Sequence, residues 1–332
     1  VNVCIAKLSS LGDVVHALPV AATLAARLPA PRITWVVEAR EAVVLRGHPA
    51  LSDIVTVDTR RWRRARRPAE VCAAVHGLRG VRARLRAQRF DVALDLQGLL
   101  KSALVVALTR APVRIGFSAG WSREPLATAF SNRRVRPPAA ARHVVDQYLA
   151  LLEPLGLGPP VREFRLPTDP VAESLMDEFL AGAGLKPRDR LVVLNPGAGR
   201  PAKRWPLESF TALARRVTDD AGARVVVVWG PGEHAMARAI CAGAEGATPA
   251  PPTDVPTLLA LVRRASVVVA SDTGPLHLAA AAGTACVGLY GPTRAERNGP
   301  YGGGHRALQS PDGRMAAIGV DAAYRAVTEL LS

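Results

Sequence analysis

Residues 1–19 read VNVCIAKLSSLGDVVHALP. The first eight are short, β-branched and apolar apart from Asn2 and Lys7, the signature of a buried strand. Ser9, Ser10 and Gly12 then mark a turn, and Asp13 stands at the mouth of the helical pattern that follows. A strand that ends in a polar loop and opens directly into a helix is the unit from which parallel sheets are built. Asp13 admits two readings. A carboxylate in a first helical turn accepts backbone N–H groups, worth about 1 kcal/mol. A carboxylate at the carboxyl end of a strand can equally serve as a general base.

The alternation runs on. Strand patterns at ITWVVE (33–38), IVTVD (54–58), DVALDLQG (91–98) and VRIGF (113–117) are separated by amphipathic stretches, including 69–89 and 101–111, and a long helix is expected over 140–156. LGPPVREFRLPTDP (157–170) holds four prolines and no periodicity, and reads as a linker. The second half repeats the order, with strands at LVVLN (191–195), RVVVVWG (224–230), VVVASD (267–272) and ACVGLYG (285–291) and helices between them. Wholly apolar runs alternating with helices predict buried parallel strands. A chain of 332 residues exceeds one hydrophobic core. The expected fold class is therefore α/β: two doubly wound parallel-sheet domains facing across a cleft, 1–156 and 171–332, with the last helix free to return to the first domain. In such folds ligands bind at the carboxyl ends of the strands.

Composition removes several classes. Hydrophobic content of 49% and charged content of 21% are globular values. No apolar run approaches the ~18 residues of a membrane span, and no basic n-region with a cleavage site is visible, so a cytoplasmic chain is expected. Cys4, Cys72, Cys241 and Cys286 show no ligand spacing; each reads as a small core residue, and neither a metal site nor a disulfide framework is expected. The net charge of +15 is uneven: residues 1–160 hold 24 Lys and Arg against 11 acids, residues 161–332 hold 19 against 17. TRRWRRARRP (59–68) is the densest stretch. Such a field draws polyanions: nucleic acid, an anionic membrane face or a phosphorylated substrate. The plainer reading is solvated arginine. Aromatic content of 5% and the lack of a helix-turn-helix, zinc-finger or RRM pattern weigh against nucleic acid.

In the second half three strands lead into loops of shared chemistry: PGAGRPAKRWP (196–206), GPGE (230–233) and DTGPLH (272–277). Small residues let a ligand approach the backbone, and helix N-termini supply N–H donors. Several such loops suit a diphosphate, with Lys203 adding a full charge. GAGRPA matches a loose dinucleotide fingerprint, but Pro201 interrupts the helix that should open inside it. No Walker A lysine follows the glycines, and no Asp-x-Asp pair exists to hold a divalent metal against a diphosphate. Lysine and helix ends would then stabilise the leaving group. Asp272 also reads as an N-cap, His277 as a satisfied helix residue, and Glu233 as a helix-end charge or a ribose acceptor.

KLSSLGDVVHALP, DLQGLLKSA (95–103), WSREPLA (121–127), NPGAGRPAKRWP and SDTGPLHLAAAAGT…GLYGPT together resemble the lipopolysaccharide heptosyltransferases, most nearly their heptosyltransferase I branch. The resemblance implies a GT-B fold of two Rossmann-like domains. It implies inverting, metal-independent transfer of heptose from ADP-heptose to the Kdo of lipid A, with no cofactor, at the cytoplasmic face of an inner membrane. By position it makes Asp13 the base, and Lys203, Glu233, Asp272, Thr273, Gly274 and His277 the donor site. Ala198 and Gly199 carry no hydroxyl, so any diphosphate contact there comes from backbone N–H, and Thr253 is a further nucleotide candidate. Arg60, Arg61, Arg63 and Arg64, with Lys101 and Arg123, would hold the carboxylates and phosphates of the acceptor. A heptosyltransferase II, a dehydrogenase and a basic nucleic-acid-binding protein stand as the rival readings.

Overall fold

The computed structural model describes residues 1–332 except Ala65 and Pro187, and Arg63 by its backbone only. It divides into two compact units, Val1–Pro167 and Thr168–Ser332.

In the first unit β1 (Asn2–Ala6), α1 (Leu11–Arg27), β2 (Arg32–Glu38), β3 (Asp53–Val57), α2 (Thr59–Arg64), α3 (Pro68–Ala87), β4 (Val92–Asp95), α4 (Leu100–Thr109), β5 (Val113–Phe117), β6 (Arg133–Val135) and α5 (Val144–Ala150) follow in order. The strands form one parallel sheet, β3-β2-β1-β4-β5-β6. Its order reverses between β1 and β4, which leaves the carboxyl ends of those two strands with loops departing to opposite sides. Cys4 and Ala6 of β1 share a core with Val105 and Val106 of α4. α1 packs on β2 and α5. Strands covered on both faces need unbroken apolar runs, which is why these were readable.

The second unit repeats the plan with α6 (Pro170–Gly182), β7 (Leu191–Asn195), α7 (Leu207–Asp219), β8 (Arg224–Val227), α8 (His234–Ala242), β9 (Ala247–Pro249), α9 (Val255–Arg264), β10 (Val267–Ser271), α10 (Gly274–Ala281), β11 (Ala285–Tyr290), α11 (Ala295–Asn298), β12 (Arg306–Gln309) and α12 (Val320–Leu331). Its parallel sheet runs β12-β11-β10-β7-β8-β9, reversing between β7 and β10. Asp169 caps α6 by accepting from the N–H groups of Val171 and Ala172, and Asp254 caps α9 through Thr257 N–H. Trp205 is buried edge-on against Phe210 and donates its indole N–H to Ile318 O at 2.9 Å. The last helix, α12, lies on α7, β10 and β11, where Ala323, Ala326 and Val327 enter the second unit's core.

Several expectations shift. The helix expected over 140–156 is only α5 followed by a short 3-10 turn at Glu153–Leu155. His143 caps its start, and Pro154 lacks the N–H that a continuing helix needs. Residues of the 157–167 stretch are tied to the first unit: Val161 N–H donates to Thr23 Oγ1, Arg27 Nε–H to Pro159 O, and His48 Nε2 lies 3.0 Å from Phe164 O. Cys4 and Cys286 are buried, and burial pushes their thiols up to about 12. Cys72 is exposed on α3, because that helix turns little of its surface inward.

Candidate functional site

Three loops meet at the carboxyl ends of β1, β4 and β5. Leu8 N–H, just past β1, donates to Gln97 Oε1 at 2.7 Å, joining the KLSS loop to DLQG. Asp95 Oδ1 accepts from the N–H groups of Gln97 and Gly98 and shapes that loop. Gly98 has φ +66°, and a Cβ there would stand 3.0 Å from Ser122 Oγ, so the position suits only glycine. Ser122 Oγ–H and Glu124 N–H both donate to Gly98 O, and Glu124 Oε2 accepts from Leu100 N–H, which ties in WSREP.

Asp13 sits in the first turn of α1 and divides its two oxygens. Oδ2 accepts from Ser10 N–H at 3.2 Å and Ser10 Oγ–H at 2.9 Å, a capping-box arrangement. Oδ1 faces Lys7 Nζ at 3.6 Å, Arg123 Nη2 at 3.7 Å and the Tyr148 hydroxyl at 3.4 Å. The cap thus occupies one oxygen and leaves the other facing the cationic groups. Lys7 is fully buried and donates to Tyr148 Oη at 2.7 Å and Leu96 O at 3.3 Å. Burial pushes the Asp13 carboxyl up, but Lys7 first, then Arg123 and the Ser10 bonds, outweigh it and hold it well below the usual carboxylate range. Asp13 therefore stays ionised at every pH near neutrality, with its side chain 21% exposed.

Lys101 and Arg123 join this cluster. Lys101 Nζ lies 3.5 Å from Ser9 Oγ and 3.4 Å from Glu38 Oε1, and Glu38 in turn accepts from the N–H and hydroxyl of Thr59, where α2 starts. Arg60, Arg61 and Arg64 are exposed along α2 beyond that link. The Arg63 side chain lies outside the described residues. Lys7 and Tyr148, 141 residues apart, were not singled out in the sequence; only the Lys within the quoted motif hinted at the first.

The second unit builds a separate cluster where its own sheet reverses. Asn195, ending β7, donates from Nδ2 to Gly197 O and to Thr273 Oγ1, both at 3.2 Å, and so ties the PGAG loop to the DTG loop. Lys203 Nζ donates to Asp272 Oδ2 at 2.6 Å and to Asp272 O at 3.2 Å, while His277 Nε2 lies 3.0 Å from Asp272 Oδ1. Burial pushes the Asp272 carboxyl up, yet His277 and Lys203 outweigh it and hold it at about 2. Thr273 is the N-cap residue of α10, and Gly274 its first residue. Glu233 folds back from the head of α8: Oε2 accepts from Gly230 N–H at 3.0 Å, and Oε1 lies 3.4 Å from Arg204 Nη2. A Cβ on Gly197 would overlap Glu233 Oε2 at 2.0 Å, so any larger residue there would push this carboxylate off its present position.

Lys203, Asp272, His277, Thr273, Gly274 and Glu233 are thus brought onto connected loops. Ala198 is buried, with its carbonyl accepting from Arg204 Nε–H, and Gly199 is exposed. Thr253 is half-buried before α9 and stands outside the network just described. Arg204 and Asn195 are the members that sequence reading missed. Among the described residues no three His, Cys, Asp or Glu side chains are grouped to hold a metal ion.

A model of glycosyltransferase family 9 (heptosyltransferase) matches residues 78–321. The chain belongs to glycosyltransferase family 9. It is 32% identical over 306 residues to lipopolysaccharide heptosyltransferase 1 of Pseudomonas aeruginosa, spanning 91% of this chain and 81% of that protein. It is 29% identical over 331 residues to lipopolysaccharide heptosyltransferase 1 of Escherichia coli K12, spanning 99% and 100%. The solved structure of E. coli heptosyltransferase WaaC with ADP-2-deoxy-2-fluoro heptose matches with TM-score 0.81 at 28% identity, over 99% of each chain. The fold is GT-B, two Rossmann-like units, as the sequence led one to expect. The protein is a glycosyltransferase, and the nucleic-acid reading opened by charge alone falls away.

Proposed function

We propose that this family 9 glycosyltransferase moves a heptose from ADP-heptose to the Kdo of a lipid A core, with inversion and without metal. The observation that carries the reading is Asp13: one carboxylate, ionised throughout the physiological range, with one oxygen fixed by Ser10 and the other set among Lys7, Tyr148 and Arg123. In this reading the acceptor hydroxyl attacks the anomeric carbon as the bond from that carbon to the diphosphate oxygen breaks. The hydroxyl proton passes to Asp13, and the bonding electrons leave with ADP. A carboxyl held so low is a weak base, so proton transfer comes late, once the new C–O bond has made the hydroxyl acidic. Pairing of Arg123 with an acceptor carboxylate would take positive charge off Asp13 and strengthen it as a base.

The donor falls to the second unit. Lys203 provides the mobile charge for the diphosphate, the head of α10 and the glycine loop offer backbone N–H groups, and Glu233 suits ribose hydroxyls. Asp272 and His277 set the position of Lys203. The acceptor falls to Lys101, Arg123 and the α2 arginines, and the enzyme works peripherally on the cytoplasmic face of the membrane that carries its acceptor. Among the described residues no helix is long and apolar enough to cross a membrane.

The direct test is incubation of the protein with ADP-heptose and Kdo-lipid A in the presence of a chelator, read by mass spectrometry. One heptose increment on the acceptor is expected, and an acceptor already bearing the first heptose should gain none. No increment, or transfer only after divalent metal is restored, would overturn the reading.

A further inference from the structure

α3 is a twenty-residue helix of which only Leu85 is buried. Leu85 and half-buried Val81 are its attachment, packed with Trp62 against the first unit's core. Beside that inner edge Val71, Val75 and Leu78 stand 44%, 42% and 45% exposed. Their spacing of four and three residues places them on one side of the helix, and Arg79, Arg82 and Arg86 continue that side toward its end. Single exposed aliphatics are ordinary on a protein surface, but three aligned ones beside a core-facing edge are not.

The charge around them is one-sided. Residues 59–89 contain eleven arginines and a single acid, Glu70. Glu70 is exposed, with Oε2 accepting from the backbone N–H groups of Arg66 and Arg67. α2, with Arg60, Arg61 and Arg64 exposed, packs directly on α3. An aliphatic stripe flanked by arginine on an otherwise solvated helix matches a helix that lies in the plane of lipid headgroups, apolar side down. A nucleic-acid backbone would answer the arginines and leave the aliphatics without a counterpart.

We infer that Val71, Val75 and Leu78, with the arginines about them, dock α3 flat on an anionic lipid bilayer. The inference rests on the lipid-borne acceptor proposed above for its purpose: the same arginine field that grips the acceptor's anions brings the enzyme to the surface where that acceptor is embedded.

Co-sedimentation with phosphatidylglycerol–phosphatidylcholine vesicles tests it, beside vesicles of phosphatidylcholine alone. The full chain should pellet with the anionic vesicles only. The triple variant Val71→Ser, Val75→Ser, Leu78→Ser should partition about tenfold less, with an unchanged unfolding temperature. Arg79→Gln and Arg82→Gln should each weaken partitioning about fivefold. Transfer to a de-acylated, water-soluble acceptor should be the same for the triple variant as for the parent, while transfer to vesicle-borne acceptor falls. Equal binding of parent and triple variant to anionic vesicles, or equal binding of the parent to neutral ones, overturns the docking surface. So does duplex DNA binding that exceeds vesicle binding and is untouched by the triple variant. Docking without any heptose transfer would instead sink the proposed reaction and leave the surface standing.

Discussion

Lys203 Nζ and Asp272 Oδ2 stand 2.6 Å apart, linking the loop after β7 to the loop after β10, and His277 holds the other oxygen of the same carboxylate. The carboxyl sits at about 2 in the fold against an ordinary 3.8. A carboxyl lowered by folding contributes its stability fully above the unfolded value and loses it as pH falls through the folded one. Asp272→Asn should therefore cost about 2 kcal/mol at neutral pH. Thermal unfolding of parent and variant should converge as pH drops from about 4 to about 2. A constant gap across that window would mean that the cost is packing, not charge.

Lys203→Ala removes the ammonium that the proposed site offers to the diphosphate. Charge-assisted contacts of this kind contribute about 1.5–3 kcal/mol, so ADP affinity measured by calorimetry should fall roughly tenfold or more. Acceptor binding should change little. Unaltered ADP affinity would take Lys203 out of the donor site.

Gly197→Ala brings a methyl into the Glu233 carboxylate. The carboxylate must swing away from Gly230 N–H and Arg204, and hydrogen bonds of this charge-assisted kind contribute about 1–3 kcal/mol. The cost should be seen as a lower unfolding temperature and should largely vanish in a Glu233→Ala background, since the clash is with that one side chain. The same cost in both backgrounds would place the conflict elsewhere.

Arg123→Ala takes away the second-largest of the charges that hold the Asp13 carboxyl low, after Lys7. The carboxyl should rise, and the acid limb of the kcat profile should move to higher pH while the acceptor KM increases. Asp95, also beside Lys7, and the phenol of Tyr148 are further ionisable groups near this pair. An acid limb that does not move would separate Arg123 from Asp13 in the working enzyme.

The two sheets were legible because their strands are buried on both faces and so are written as unbroken apolar runs such as VNVCIA and LVVLN. Three of the four edge strands were not, β3 being the exception. β6 reads RRV, β9 ATP and β12 RALQ, three or four residues each, with polar or half-exposed positions that carry no alternation. Asp13, Lys203 and Asp272 were singled out because they follow strand ends where loops collect, and their proposed roles came from the family resemblance. Lys7, Tyr148, Asn195 and Arg204 were not, because their meaning lies in partners brought close only by the folded sheet: Tyr148 reaches Lys7 across 141 positions. The two readings first posed for Asp13, cap or base, do not compete for one atom: Oδ2 takes the Ser10 bonds, and Oδ1, facing Lys7, is the oxygen left for the proposed base.

Single-turnover transfer by Asp13→Asn tests the assignment of Asp13 most directly. Asparagine keeps an oxygen for the Ser10 bonds and cannot accept the acceptor's proton. Losing the charge beside buried Lys7 should lower the unfolding temperature. At a temperature where the variant is folded and its donor affinity is unchanged, heptose transfer from ADP-heptose to Kdo-lipid A should slow by about 10²–10⁴-fold. A folded Asp13→Asn enzyme that transfers heptose at the parent rate would contradict it.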